Sequence, residues 1–319
     1  MSRKFDVAVM HDFYVDRLLY AGALSGFTES LRIKATDGGG GIHGIRQEDI
    51  RGGNAVNLAR ALARLGLRTL LITHSDRTHE GILRQAFEGL DVVLRVKPRP
   101  TALTVALEGD VNVMLGDGRG ASDFGPALLD GGDWGALGNS RVVCSVNWAI
   151  NRRGTELLLA LRKRLGPRKP IFFDPADFRD RGKDFGDLLQ VLTARHPVDW
   201  ISMDEHEATA AANALGVTGG DLGETCRALA KRLGVVFDLH THRASYSSEG
   251  TRVSMAKVRT VRPLRLTGAG DVWDAGAIYG RLRGMDEPAR LKFANRAALL
   301  FLTNKDADPP TLEQVKRED

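Results

Sequence analysis

Two rhythms of apolar residues alternate along the chain. The first is a short, nearly unbroken run: FDVAVM at 5–10, RTLLITHS at 68–75, RVVCSVNW at 141–148, PIFF at 170–173, VDWISM at 198–203 and VVFDLH from 235. Runs of this length, apolar on both faces, predict strands of a sheet that is covered on both sides. The second rhythm has a period near 3.6 residues. Leu58, Ala61, Leu62 and Leu65 predict a helix, and Gly66 ends it. Helices are also predicted over 80–90, 155–166, 184–196, 208–216, 221–234 and 290–304. From 141 onward strand and helix alternate regularly, which predicts a mostly parallel sheet between two helical layers. Residues 14–36 and 98–115 break the alternation. They hold short mixed and strand-like segments with no long helix, and predict a small separate sheet over one end of the main one. The fold class is therefore three-layer α/β/α with a small β-sheet beside it. Without a fixed-period repeat or a low-complexity linker, 1–319 reads as one domain, with the small sheet drawn from about 14–50 and 98–115.

Composition narrows this picture without redirecting it. The chain has 319 residues, 43 % apolar and 27 % charged, as expected of an ordinary globular protein. Its two cysteines, Cys144 and Cys226, argue against a disulfide framework and fit a reducing cytoplasm. No apolar run approaches the roughly 18 residues of a membrane span. The N-terminal apolar run is short and reads as a first strand, not a signal peptide. The net charge of +5 raises nucleic-acid binding. The basic residues, however, are dispersed and mixed with acids, as in LRKRLGPRKP before FFDPADFRDRGKD. A solvated surface is the expectation, with enough positive potential to suit a phosphorylated ligand.

The chemistry concentrates in 264–280, LRLTGAGDVWDAGAIYG. Gly268, Ala269 and Gly270 make a turn with little side chain, so its amides can converge on an anion. The small and apolar residues after it predict a helix, which places the turn at a helix N-terminus that favours negative charge. Asp271 stands at the mouth of that site, where it can stabilise the helix start or act as a general base. A second glycine-rich stretch, DGGGGIHG, carries Gly39, Gly41 and Gly44 at G-x-G-x-x-G spacing. It neither follows a parallel strand nor opens a helix, so no dinucleotide site is read there. A third, Arg51-Gly52-Gly53-Asn54-Ala55-Val56-Asn57, opens the helix ending at Gly66, with Asn54 suited to cap it. His206-Glu207 is not part of H-E-x-x-H, because Ala stands at 210, and no G-x-x-x-x-G-K-[ST] occurs.

With RGGNAVNLARALARLG and LTGAGDVWDAG both in view, the chain resembles the ribokinase-like (PfkB-type) family of sugar and nucleoside kinases. The motifs lie in the family's order and the likeness spans nearly the whole chain. It implies a central, mostly parallel sheet, a β-sheet lid, and Mg2+-dependent transfer of a nucleotide's terminal phosphoryl group to an alcohol of a small sugar, sugar phosphate, nucleoside or polyol. ATP is the donor the family implies, with ADP the alternative. Asp271 would be the base, and Gly268, Ala269 and Gly270 would hold the transferring group. Asp16, Gly52, Gly53, Asn54 and Asn57 would bind the acceptor. DEHE at 204–207 falls where the family has Asn-x-x-Glu, so Glu207 would act on the metal through water. Asp204, Asp238, His240, Arg265, Thr267 and Asn295 would lie on the nucleotide side. Relatives also pair through the lid, which makes a homodimer an expectation.

Three departures fall on that nucleotide side. Asp204 replaces the family's Asn. Asp238-Leu239-His240-Thr241-His242-Arg243 replaces Thr-Leu-Gly-x-x-Gly. Arg265-Leu266 precede Thr267 where Asp-Thr is common. His240 and His242 would share one strand face as metal ligands, or simply occupy a polar surface. For the acceptor, His11, Asp12, Asn147, Arg179 and the loop 38–46 are candidate specificity residues. Arg46, Arg51 and Arg179 would suit a sugar phosphate or ordinary surface ion pairs. A catalytically silent binding protein on the same fold is the alternative reading.

Overall fold

Val7 and Val9 point to one side of the first strand and Ala8 and Met10 to the other, and all four are fully buried. Burial on both faces is what a strand in the middle of a layered fold requires. The computed structural model describes residues 5–109, 112–217, 220–264, 267–306 and 308–317. Arg265 lies outside them.

The order of elements is β1 (Phe5–His11), β2 (Tyr14–Gly22), α1 (Leu24–Thr36), β3 (Arg46–Gly52), α2 (Asn54–Arg64), β4 (Thr69–Ser75), α3 (Glu80–Gln85), β5 (Val92–Pro98), β6 (Ala102–Gly109) and β7 (Asn112–Asp117). There follow α4 (Gly131–Gly138), β8 (Ser140–Val146), α5 (Gly154–Leu165), β9 (Ile171–Asp174), α6 (Gly182–Arg195), β10 (Trp200–Asp204), α7 (Glu205–Ala214), α8 (Leu222–Leu233) and β11 (Val236–His240). The last are β12 (Ala244–Ser248), β13 (Val253–Lys257), α9 (Ala269–Leu282), α10 (Glu287–Leu302) and α11 (Leu312–Arg317).

The large sheet has nine strands in the order β13-β12-β11-β10-β9-β8-β1-β4-β5. Only the β11–β12 and β12–β13 pairings are antiparallel. One face packs on α2, α9 and α10, through residues such as Leu58, Leu62, Trp273 and Ile278. The other packs on α4 to α8, through Leu157, Leu188, Leu192 and Leu229. From β1 the chain builds outward through β4 to β5, then returns to β8 on β1's other side and builds the opposite way. In open α/β sheets such a reversal opens a crevice at the strands' carboxyl ends.

The small sheet has four strands, β3-β2-β6-β7, drawn from 14–52 and 102–117. Within the first of these stretches 24–36 is a helix of 13 residues, not a set of short mixed segments. None of its residues is buried, so it has no apolar stripe for a periodicity to reveal. The helix α4 and the strand β13 also go beyond the sequence expectation.

The lid meets the body at two crossings. Only two residues separate β1 from β2, and β3 runs into α2 through Gly53. Tyr14 pairs with Gly52 across the joint. Gly53 has φ 101, and a Cβ there would lie 2.9 Å from the Asp12 carbonyl oxygen. A Cβ on Gly52 would lie 2.1 Å from Asp16 Oδ2. The glycine pair is what lets the two crossings touch.

Candidate active site

Asp12 is fully buried where the crossings meet, just past the carboxyl end of β1. Its Oδ2 accepts from Asn54 N at 2.9 Å and from Asn147 Nδ2 at 2.8 Å, and its Oδ1 accepts from Ala55 N at 2.9 Å. A carboxylate at a helix N-terminus satisfies free amides and matches the dipole. Asp12 therefore caps α2 from another segment, and the sequence expectation that Asn54 caps it gives way: Gly53 is the N-cap residue and no side chain of its own serves it. Asn147 reaches Asp12 from the end of β8, on a left-handed residue with φ 56. His11 is also buried, its ring against Phe124 at 5.3 Å, and burial pushes its pKa down.

One turn into α2, Asn57 Nδ2 donates to Asp271 Oδ2 at 3.0 Å. This bond joins the two glycine-rich stretches directly. Asp271 lies in the first turn of α9, whose N-cap, Gly268, is left-handed with φ 89. That conformation suits glycine. Asp271 is buried, and its carboxyl is held well above the usual range by burial first and the charge of Asp174 second; Asn57 and Asn54 oppose the shift.

Asp271 opens onto a cleft of about 640 Å³, in the range of small-molecule sites. Gly268, Ala269, Gly270, Asn54, Asp204, Glu207, His240 and Asn295 all line it. One end is apolar, with Val258, Val261, Ala298 and Leu302. The other is acidic, with Asp174, Asp177, Asp204 and Glu207. Asp204 and Glu207 close a capping box on α7: Glu207 N donates to Asp204 Oδ1 at 2.8 Å and Asp204 N to Glu207 Oε2 at 2.9 Å. The DEHE turn thus has a structural role that also aims two carboxylates at the cleft. Glu207 is held well above the ordinary range, by burial first and then by Asp174 and Asp204. Asp174 is raised to about 6, by burial ahead of the charges of Asp204 and Asp12. Such an oxygen-rich, mutually repelling set suits a hard divalent cation. Among the described residues no three His, Cys, Asp or Glu side chains converge closely enough to chelate one directly. That geometry fits contact through water.

His240 ends β11 with its ring over Trp273, centroids 4.9 Å apart. Its Cε1 lies 3.7 Å from where a Cβ on Gly270 would stand, so the imidazole borders the anion turn. Burial lowers its pKa, which favours the neutral ring. Asn295 Oδ1 accepts from Trp273 Nε1 at 2.8 Å and so steadies the indole under His240. His242 is exposed beyond the strand end and accepts from Arg243 Nε, so the two histidines share no strand face.

Some expected residues lie elsewhere. Asp238 is fully buried in β11, not in the cleft. Its carboxylate is gripped by Arg290 at 2.6 and 2.8 Å and by Trp200 Nε1 at 2.9 Å. Thr267 is exposed and outside the cleft lining. Asp16 is buried in β2 with its carboxylate against Gly52, on the small-sheet side of the joint. Arg46 pairs with Glu48 at 3.1 Å, Arg51 with Asp308 at 3.4 Å, and Arg179 with Asp177. Sequence reasoning passed over Asp174, whose signal was an Asp at the carboxyl end of a parallel strand. It also passed over Asp274, buried behind Asp271 with Ser202 Oγ donating to it at 2.6 Å.

No curated protein matches the chain in sequence. Among solved structures it is similar to adenosine kinase from Sinorhizobium meliloti, with TM-score 0.77, 18 % identity and 95 % of each chain covered. Arabidopsis thaliana ribokinase complexed with ribose and ATP gives TM-score 0.75 at 18 % identity over 98 % of each chain. An E. coli protein described as ribokinase II, in complex with ATP and Mg2+, gives 0.76 at 15 % identity, covering 98 % of this chain and 97 % of that one. Likeness at these identities establishes the ribokinase-type fold. The family model for pfkB family carbohydrate kinases matches residues 24–314, both glycine-rich stretches included, and the chain belongs to that family.

Proposed function

We propose that this protein transfers the terminal phosphoryl group of ATP to an alcohol of a small sugar or nucleoside, with Asp271 as the base. The observation that carries the reading is the Asn57–Asp271 hydrogen bond at 3.0 Å. It sets a proton acceptor between the lid joint, where Asp16 and Asn54 would hold hydroxyls, and the amides of Gly268 to Gly270. Asp16, Gly52 and Gly53 belong to the acceptor end. The apolar end of the cleft suits the nucleotide's base.

In the transfer, the acceptor's hydroxyl proton passes to the Asp271 carboxylate as its oxygen bonds the terminal phosphorus. The bond from that phosphorus to the bridging oxygen breaks, and nucleoside diphosphate leaves. Gly268 to Gly270 and the N-terminus of α9 stabilise the charge spreading over the phosphoryl oxygens. Asn57 keeps the Asp271 carboxyl oriented, and burial strengthens its pull on a proton. His240 borders the same oxygens and donates to them where the family has a glycine amide. Closure of the small sheet over the cleft keeps water from the phosphoryl group. Glu207 would hold a Mg2+ ion through water, with Asp204 and Asp174 nearby, and the ion would neutralise phosphate charge.

The test is a panel of sugars, nucleosides, inositol and sugar phosphates, each offered with ATP and with ADP. The expected result is phosphorylation of one acceptor class, reduced roughly 10²–10⁴-fold in Asp271→Asn, the usual contribution of a positioned base. Failure to phosphorylate any acceptor defeats the proposal, and so does transfer that ignores the substitution. His240 pressed against the anion turn favours one other reading, a nucleotide-binding protein that transfers nothing; it requires ATP binding without turnover.

A further inference from the structure

At the opposite edge of the large sheet, where the parallel strands begin, there is a second cavity of about 440 Å³. Its wall is apolar, with Pro170, Val236 and Leu282, over a buried aromatic pair: Phe172 and Trp200 meet edge to face at 4.9 Å. Its rim is basic, with Arg141, Arg168 and Arg281 against a single acid, Asp199. That acid is already committed, to Arg162 at 2.5 Å and to Ile171 N at 2.8 Å. None of the chemistry assigned to the catalytic cleft uses these residues.

The arginines are held in place but keep donors to spare. Arg281 lies over the Trp200 ring at 5.1 Å. Its nearest carboxylate oxygens, on Glu249 and Glu287, stand 3.5 and 3.7 Å away, and its Nη1 is enclosed without a hydrogen-bond partner. Glu287 is instead bonded to Arg290 at 2.9 Å, and Glu249 is a surface side chain. Arg168 is exposed and pairs with no acid among the described residues. Arg141 spends one amino group on the Leu282 carbonyl at 3.1 Å, at the last turn of α9, and reaches Asp6 at 3.3 Å. Trp200 is fixed from below, because its Nε1 donates to Asp238. An apolar wall beside guanidinium groups with donors to spare recognises an apolar body and an anionic group at once.

We infer that this cavity is a second ligand site, and that its ligand class is a small organic anion with an apolar body: a carboxylate, sulfonate or phosphate. A cavity of this size suits a small molecule and not a macromolecule. The site is separate from the catalytic cleft. Helix α9 carries Asp271 in its first turn and Arg281 in its last, and its 14 residues separate the two ends by about 20 Å.

The experiment is titration calorimetry of the full chain with naphthalene-1-sulfonate, with sulfate and 1-naphthol as the anion without the body and the body without the anion. The wild type is expected to bind one equivalent of the sulfonate, with sulfate and 1-naphthol each about tenfold weaker or worse. Arg168→Ala and Arg281→Gln are each expected to weaken it about tenfold, the usual loss for a charge-assisted bond. Arg168 supports no other part of the described fold, so its variant reports binding and not folding. Absence of saturable binding overturns the inference. So does binding that both arginine variants retain unchanged, or 1-naphthol binding as tightly as the sulfonate.

Discussion

At the lid joint every oxygen of Asp12 is engaged, by Asn54 N, Ala55 N and Asn147 Nδ2, while across the cleft Glu207 and Asp174 are pushed toward their protonated forms by burial first and by neighbouring carboxylates second. The first region is finished as it stands. Its buried charge is matched by donors from three segments, which fixes the angle at which α2 presents Asn57 to Asp271. The second region holds like charges at close quarters, and that arrangement costs free energy until a cation or a proton relieves it. One end of the cleft is thus preorganised and the other is built to be completed by its ligand. The placement of Asp271 between them gives both ends a stake in one carboxylate.

The sharpest way to break the contrast is to remove the acid at the finished end. Asp12→Ala leaves three donors without their acceptor, and each unsatisfied buried group costs roughly 1–3 kcal/mol. A loss of about 3 kcal/mol or more is expected in urea unfolding, with transfer activity falling alongside because α2 is no longer aimed. A variant as stable and active as the wild type would show that Asp12 positions nothing.

At the other end the expected sign reverses. Asp174 is raised from 3.8 to about 6 in the folded protein, so its stabilising contribution is complete below about pH 4 and is lost as pH rises through 6. Thermal stability is expected to fall over that window, and the raised carboxyls of Glu207, Asp271 and Asp274 extend the fall upward. Asp174→Asn is expected to flatten the profile and to gain on the order of 1–3 kcal/mol over the wild type at pH 8. Millimolar Mg2+ should stabilise the wild type at pH 8 more than the variant. A variant that loses stability at pH 8 contradicts this reading of the acidic end.

The smallest effect is expected at His240. His240→Gly restores the family's residue and removes one donor from the phosphoryl oxygens. The KM for ATP is expected to rise about fivefold, with the acceptor KM unchanged, as for loss of about 1 kcal/mol. A fall in the KM for ATP would mean that the imidazole obstructs the nucleotide instead of holding it.

How much of this was legible in the sequence follows from what each residue touches. Asp271 and Asn57 stand in stretches whose glycines and helix starts are local features, so each stretch could be read by itself, and it was the resemblance to the kinase family that implied their meeting across more than two hundred positions. The parallel strands were legible because they are apolar on both faces. Helix α1 was not, because a helix with no buried residue leaves little periodic mark. Asp238 was misplaced for a different reason. A carboxylate in a strand looks like a site residue until its partner is known, and that partner, Arg290, is 52 residues away. His240 and His242 alternate as strand residues would, yet β11 stops at His240, whose ring packs on Trp273, while His242 stands exposed at the cleft's rim. Asp12 was singled out only as a candidate specificity residue, because capping α2 from another segment is a tertiary event that no local pattern encodes.

The central claim is that the two glycine-rich stretches form one catalytic unit through the Asn57–Asp271 bond. A double-mutant cycle on the single-turnover rate of phosphoryl transfer, with Asn57→Ala, Asp271→Asn and the pair, tests it most directly. Asn57→Ala alone is expected to slow transfer roughly 10- to 100-fold, as for a lost hydrogen bond to a buried charge. The pair should be no slower than Asp271→Asn alone, because the amide has nothing left to orient. Losses that multiply in the double variant would contradict the account, since the two residues would then act independently.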